Sequence, residues 1–297
     1  MSGRTGSAIL IIILLTATLG GAWSLWPANI WRSSMLDAIT VASLVFLLAA
    51  GLIIFYGLSD LVNLTFPAFM LLGATAPDVL LAHLPRDLIH PVAFTAILLL
   101  AVGLIGIAVF ALFVHPLQPD VRRGTLALLA VTIIATVGLD DLDFEQAFIL
   151  PRWSPYAAAA LLGAGFLLFR NWRLPRLTMR ASQSNPELAR MFGLRLGRFA
   201  LAGFVLSCVL AALAGALLHA TPSTAPHAGL SIVAILGGMT FISCGMRSML
   251  LCALTSLLFG AVFCFGELLR VDGGLIACSA LLVGAVGLGA ANGKVSV

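Results

Sequence analysis

Apolar runs of about twenty residues recur from one end of this chain to the other. They fall at roughly 8–28, 36–56, 60–80, 91–115, 124–139, 155–170, 199–219, 229–246, 249–268 and 273–291. Coiled into a helix, twenty residues cover the ~30 Å hydrocarbon core of a bilayer. The runs do not alternate with period two, which points to helices and not to a barrel. Composition agrees: 61% of the 297 residues are hydrophobic and 9% charged, against about 25% charged in a soluble domain. Mean hydropathy is +1.11. The expected fold is an all-α, polytopic membrane protein with 8–10 transmembrane helices. The third, fifth, sixth and eighth runs are short or interrupted, so one or more helices are expected to be broken. The first run follows a single arginine, Arg4, and lacks a clear cleavage site, so it reads as a membrane span and not a signal peptide. The longest polar stretch, 171–198, is too short for a core of its own. Residues 1–297 are therefore expected to form one membrane domain.

Charge placement sets an orientation. The loop between the sixth and seventh runs holds Arg170, Arg173, Arg176, Arg180, Arg190, Arg195 and Arg198, seven of the sixteen basic residues. That loop is expected to be cytoplasmic. One span earlier, Asp140, Asp141, Asp143 and Glu145 form an acidic loop on the opposite side. Arg122, Arg123, Arg247, Arg4 and Lys294 then fall inside, with both termini cytoplasmic in a bacterial inner membrane. Arg32, Arg86, Arg152 and Arg270 run against the pattern. Arg86 has Asp87 beside it, and Arg270 has Glu267 and Asp272; Arg32 has no such neighbour.

Several chemistries are excluded. No G-x-x-x-x-G-K-[ST] loop occurs, and Lys294 is the lone lysine, so any ATP must be bound by another chain. No His or Cys stands at metal-ligand spacing, and no G-x-S-x-G occurs. The five cysteines lie in late apolar runs without a C-x-x-C pair and read as small buried residues. No cofactor, no metal and no nucleic-acid partner is expected. The basic excess orients the chain in the bilayer.

Within the basic loop, Ser184-Asn185-Pro186-Glu187 reads as a helix start. Asn185 caps it with Pro186 at the first helical position, or Ser184 caps it and Glu187 closes a capping box. Leu188, Met191 and Phe192 then share an apolar edge, and Gly193 supplies the stop. A helix of two turns is not stable alone. It either rests on its own membrane domain as a simple connection or enters a partner's groove.

A second stretch, "YGLSDLVNLTFPAFMLLGA" at 56–74, places Asp60, Asn63, Thr65 and Pro67 at membrane depth. Pro67 lacks a backbone donor and is expected to break the ladder to residue 63. Broken helices survive in lipid only where they face protein or a water-filled cavity, and in transporters they build the pathway. The other reading is a proline kink with Asn63 bonded to a neighbouring helix. A third stretch, "ILGGMTFISCG" at 235–245, carries Gly237 and Gly238 inside the short eighth run. They serve either close helix packing or a re-entrant bend.

In order, these stretches resemble the permeases of high-affinity branched-chain amino acid ABC transporters. That family's pattern R-A-x-x-x-N, acid, A, then L-G-[IV], then F-x-x-S-x-x-L-A-G-x-A-G is met by Arg180, Ala181, Asn185, Glu187, Ala189 and Phe192-Gly193-Leu194. It continues through Phe204, Ser207, Leu210-Ala211-Ala212 and Ala214-Gly215, with Ala212 in place of the family's glycine. The family's Y-G…[IV]-N-F-A-H-G…G-A-Y is met by Tyr56-Gly57, Val62-Asn63 and Gly73-Ala74. It departs at Leu64, Thr65, Phe66, Pro67 and Thr75. Leu236-Gly237-Gly238 matches the family's L-G-G.

The resemblance implies an ABC importer permease for amino acids or related small polar solutes. It implies cytoplasmic ATP-binding subunits, a second permease subunit of the same or a related chain, and an extracytoplasmic solute-binding protein. By resemblance, Asn185 to Phe192 is the coupling helix, with Arg180, Asn185, Glu187, Leu188, Arg190, Met191, Phe192 and Gly193 at the ATPase seam. Asn63, Thr65, Phe66, Pro67, Gly237 and Gly238 are the pathway candidates. The competing expectation is an ion-coupled secondary transporter acting without ATP, although the spans carry little of the charge that such a device needs.

Overall fold

A computed structural model describes residues 2–59, 61–83, 91–114, 126–134, 154–171, 196–220, 230–244, 249–268, 276, 278 and 279. Among them no strand occurs, and the protein is all-α. In chain order the helices are α1 (Ser2–Leu25), α2 (Ala28–Ser59), α3 (Phe66–His83), α4 (Pro91–Val109), α5 (126–134), α6 (Ser154–Asn171), α7 (Leu196–Ala220), α8 (Leu230–Ser243) and α9 (Met249–Glu267). The last turn of α4 widens into a π-helix, Phe110–Val114.

Among the described residues, four stretches are long and apolar enough to cross a membrane: Ala28–Ser59, Ile97–Val114, Gly197–His219 and Met249–Glu267. Shorter apolar helices lie at Ile9–Leu25, Phe66–Ala76 and Ser231–Ser243. These exposed apolar helices make a multi-pass membrane protein. Leu100, Leu104, Leu112 and Ile134, among others, stand open on helix surfaces, where only lipid or another apolar surface suits them.

The contacts divide the chain into two compact units, Met1–Ala49 with Ser223–Val297, and Ala50–Pro222. In the first, α1 packs on α9 and α8 packs on α9. Ala22 of α1 meets Ala261 and Phe265 of α9 in a small apolar cluster flanked by Leu15, Leu19, Trp26 and Trp31. Pro27 sets the turn between α1 and α2. Its ring disfavours helix at Trp26, and its carbonyl accepts from Trp31 N–H at 3.0 Å to open α2. Trp23 and Trp31 meet edge to face at 5.0 Å, and Trp26 stacks on Phe265 at 6.2 Å. Three tryptophans around one turn form an interfacial anchor. Helix α2 is 32 residues long, about 48 Å by helical rise, against a hydrocarbon core of about 30 Å. Arg32, on its second turn and exposed, therefore has helix to spare beyond the lipid.

The second unit is built on α7. Gly203, Ser207, Ala211 and Gly215 recur every fourth residue and form one small face. A side-chain carbon added at Gly215 would run into the Met70 carbonyl of α3, and one added at Gly73 into the Ala212 carbonyl of α7. The two backbones thus touch, as small residues permit in lipid. A carbon at Gly51 would lie 3.2 Å from Ser207 Cα, and one at Gly203 2.7 Å from the Leu58 side chain. Phe204 is buried between Phe55 and Phe110, at 5.3 and 5.6 Å. Following the numbers gives directions. Residues 70 and 73 of α3 meet 215 and 212 of α7, the point at which these two helices cross. Positions 51 and 58 of α2 meet 207 and 203, so α2 runs against α7. Positions 103 and 110 of α4 meet 209 and 204, so α4 does too.

Candidate functional site

Residues 61–65 separate α2 from α3. The turn is held by side chains standing in for helical backbone bonds. Leu61 N–H donates to Ser59 Oγ at 3.3 Å. Thr65 N–H donates to Asn63 Oδ1 at 3.0 Å, and the Thr65 hydroxyl donates to the same oxygen. Asparagine reaching two residues forward in this way is an Asx turn. The Thr65 carbonyl then accepts from Phe69 N–H at 3.1 Å, which makes Thr65 the cap of α3.

That geometry corrects the reading of Pro67. It does not break a ladder inside a span. It is the second residue of α3, within the first turn, where a missing N–H has no partner to lose. The interruption lies before it and is made by Asn63 and Thr65.

Asn63 and Thr65 are both 0% exposed. The Asn63 amide donates to Ser207 Oγ on α7 at 3.0 Å and lies 3.7 Å from Cys208 Sγ. On the other side, the Thr132 hydroxyl of α5 donates to the Leu64 carbonyl at 2.6 Å. The turn is thus tied to two helices besides its own. In an environment without water this satisfies groups that would otherwise cost about 1–3 kcal/mol each. Of the two readings of Asn63, the bond to a neighbouring helix is present. Phe66 opens α3 and is half-buried. Ser207 was read from the sequence only as a letter of the family pattern, and Thr132 was not singled out. The signal for Ser207 was its place in the every-fourth-residue small face; Thr132 had none.

In the first unit, α8 runs unbroken through Gly237 and Gly238. A carbon added at Gly237 would lie 3.0 Å from the Leu48 side chain of α2, whereas one at Gly238 would meet nothing within 4 Å. Gly237 therefore serves packing, and no bend is made there. Among the described residues no three His, Cys, Asp or Glu side chains could hold a metal ion. The five cysteines are buried and unpaired by disulfide. Arg180, Asn185, Glu187, Leu188, Arg190, Met191, Phe192 and Gly193 lie outside the described residues.

A family model, described as the permease component of the branched-chain amino acid transport system, matches residues 34–291. No curated protein matches the chain, and no solved structure does.

Proposed function

Because the chain belongs to the family of permease components of branched-chain amino acid transport systems, we propose that it is the membrane-spanning subunit of an ABC importer. It would move amino acids or related small polar solutes across a bacterial inner membrane, with both termini in the cytoplasm. Cytoplasmic ATP-binding subunits would drive it, a second permease chain would complete the pathway, and a solute-binding protein would deliver the cargo from outside. The observation that carries this reading is the family match over residues 34–291.

The reading gives the 171–198 loop a task. Asn185 to Phe192 would seat Leu188, Met191 and Phe192 in a groove of the ATPase, with Arg180 and Arg190 at the seam. Helix α7 begins at Leu196, directly after this loop. Ser207 lies eleven residues along α7, about 16 Å by helical rise. A rigid shift of the loop would therefore reach the Asn63 turn through one helix and bias the spans between inward- and outward-open states. We place Asn63, Thr65, Phe66 and Pro67 at the pathway on this basis.

The test is co-purification from a strain carrying the ATPase. Leu188→Asp or Phe192→Asp is expected to abolish association while the permease stays in the membrane. Retained association would sink the coupling claim. Solute uptake by vesicles that lack the ATPase would replace the ATP-driven reading with an ion-coupled one.

A further inference from the structure

Most hydroxyls in these helices are satisfied by their own helix. Thr16, Thr18, Thr40, Ser43, Thr75, Thr255 and Ser256 each donate to a carbonyl three or four residues back. Helix α8 breaks this habit. Thr240 is 0% exposed and its Oγ1 has no partner, and Ser243 Oγ is likewise buried without one. The two residues are one turn apart and share a face of α8. Burying an unbonded hydroxyl is costly, and no packing gain requires one where valine or alanine would fit.

From these two orphaned hydroxyls we infer a polar subsite on α8 that binds an N–H group of the carried solute. This deepens the transport reading and rests on it. The polarity follows from position. Thr240 and Ser243 occupy the last turn of α8, the end at which the helix dipole is negative and carbonyls outnumber donors. Hydroxyl oxygens there suit a donor, such as the ammonium of a zwitterionic amino acid or the NH2 of a small amide. A carboxylate would be repelled.

Two measurements test the subsite on the full chain with its ATPase and binding protein. The first is uptake of L-leucine, L-valine, acetamide and urea by Thr240→Val/Ser243→Ala. Uptake is expected to fall tenfold or more, with a thermal midpoint unchanged or raised, and Thr240→Ser is expected to restore it. The second is modification of Thr240→Cys by 2-aminoethyl methanethiosulfonate, with Cys244 and Cys252 replaced by alanine. The reagent is expected to react, and a transported solute to slow it. Failure to modify residue 240 overturns the proposal, as does uptake within twofold of wild type in the double variant. If the unaltered chain carries no solute of the panel and residue 240 is still modified, the transport reading fails and an accessible polar site on α8 stands.

Discussion

Gly215→Val is expected to remove the folded protein from the membrane, while Gly163→Ala leaves it intact or slightly more stable. The contrast follows from what each added carbon meets. At Gly215 it would fall on the Met70 carbonyl and 3.2 Å from Ala74 N. Those are backbone atoms of α3 and cannot rotate aside, and the reciprocal contact at Gly73 locks the same crossing. Overpacking a rigid contact costs ~3 kcal/mol or more. Lipid offers no hydrophobic force to hold two helices that no longer fit. At Gly163 of α6 the carbon would meet nothing within 4 Å. There the helix propensity of alanine governs, a gain of about 0.8–1 kcal/mol. Thermal unfolding of the tagged protein in detergent, read by size-exclusion recovery, checks both. A Gly215→Val protein with the wild-type midpoint would mean that α3 and α7 do not touch by backbone.

Asn63→Leu is expected to lower uptake at least tenfold with normal membrane abundance. Leucine has about the right size, but it strands the Thr65 N–H, the Thr65 hydroxyl and the Ser207 hydroxyl in a place without water. The start of α3 then loses the Asx turn that holds Thr65 in place as its cap, and its tie to α7. Ser207→Ala removes the tie alone, so its effect should be smaller. The two changes should couple by about 0.5–3 kcal/mol in a double-mutant cycle. Initial rates across solute concentration decide the role. A fall in maximal rate points to the turn acting in the conformational cycle, and unaltered kinetics would take Asn63 out of the pathway.

The helices were legible because lipid demands long apolar runs, and a single chain displays those directly. Their ends were less so. Hydropathy marks the part of a helix inside the hydrocarbon, so α2 read as 36–56 although it runs from Ala28 to Ser59. Pro67 was misjudged because residues 60–80 read as one span. The turn that separates Asn63 from α3 is made by side-chain bonds, which hydropathy does not register. The partner of Asn63 lies 144 residues away, a distance that no local pattern bridges. The resemblance singled out Phe204, Ser207 and Gly215 as motif letters. Their reasons are spatial: a ring between two rings, an acceptor for an amide, and a gap for a carbonyl. The two hydroxyls of α8 could not be found from sequence, since what distinguishes them is a bond not made. The coupling residues lie outside the described part of the chain, and Leu188 and Phe192 await the binding experiment.

The meeting of α3 and α7 by bare backbone bears on how force travels. At Gly73 and Gly215 no side chain lies between them to flex, so at this crossing the pair acts as one stiff rod. The α4 face of α7 differs. There Gly103 and Gly106 look onto Val205, Val209 and Cys208 at 3.6–3.8 Å, ordinary contacts that side-chain rotation can take up. A push delivered to α7 would therefore carry α3 with it undiminished and be absorbed along α4. Compliance in this unit is placed on one side of the rod, which gives any stroke a direction.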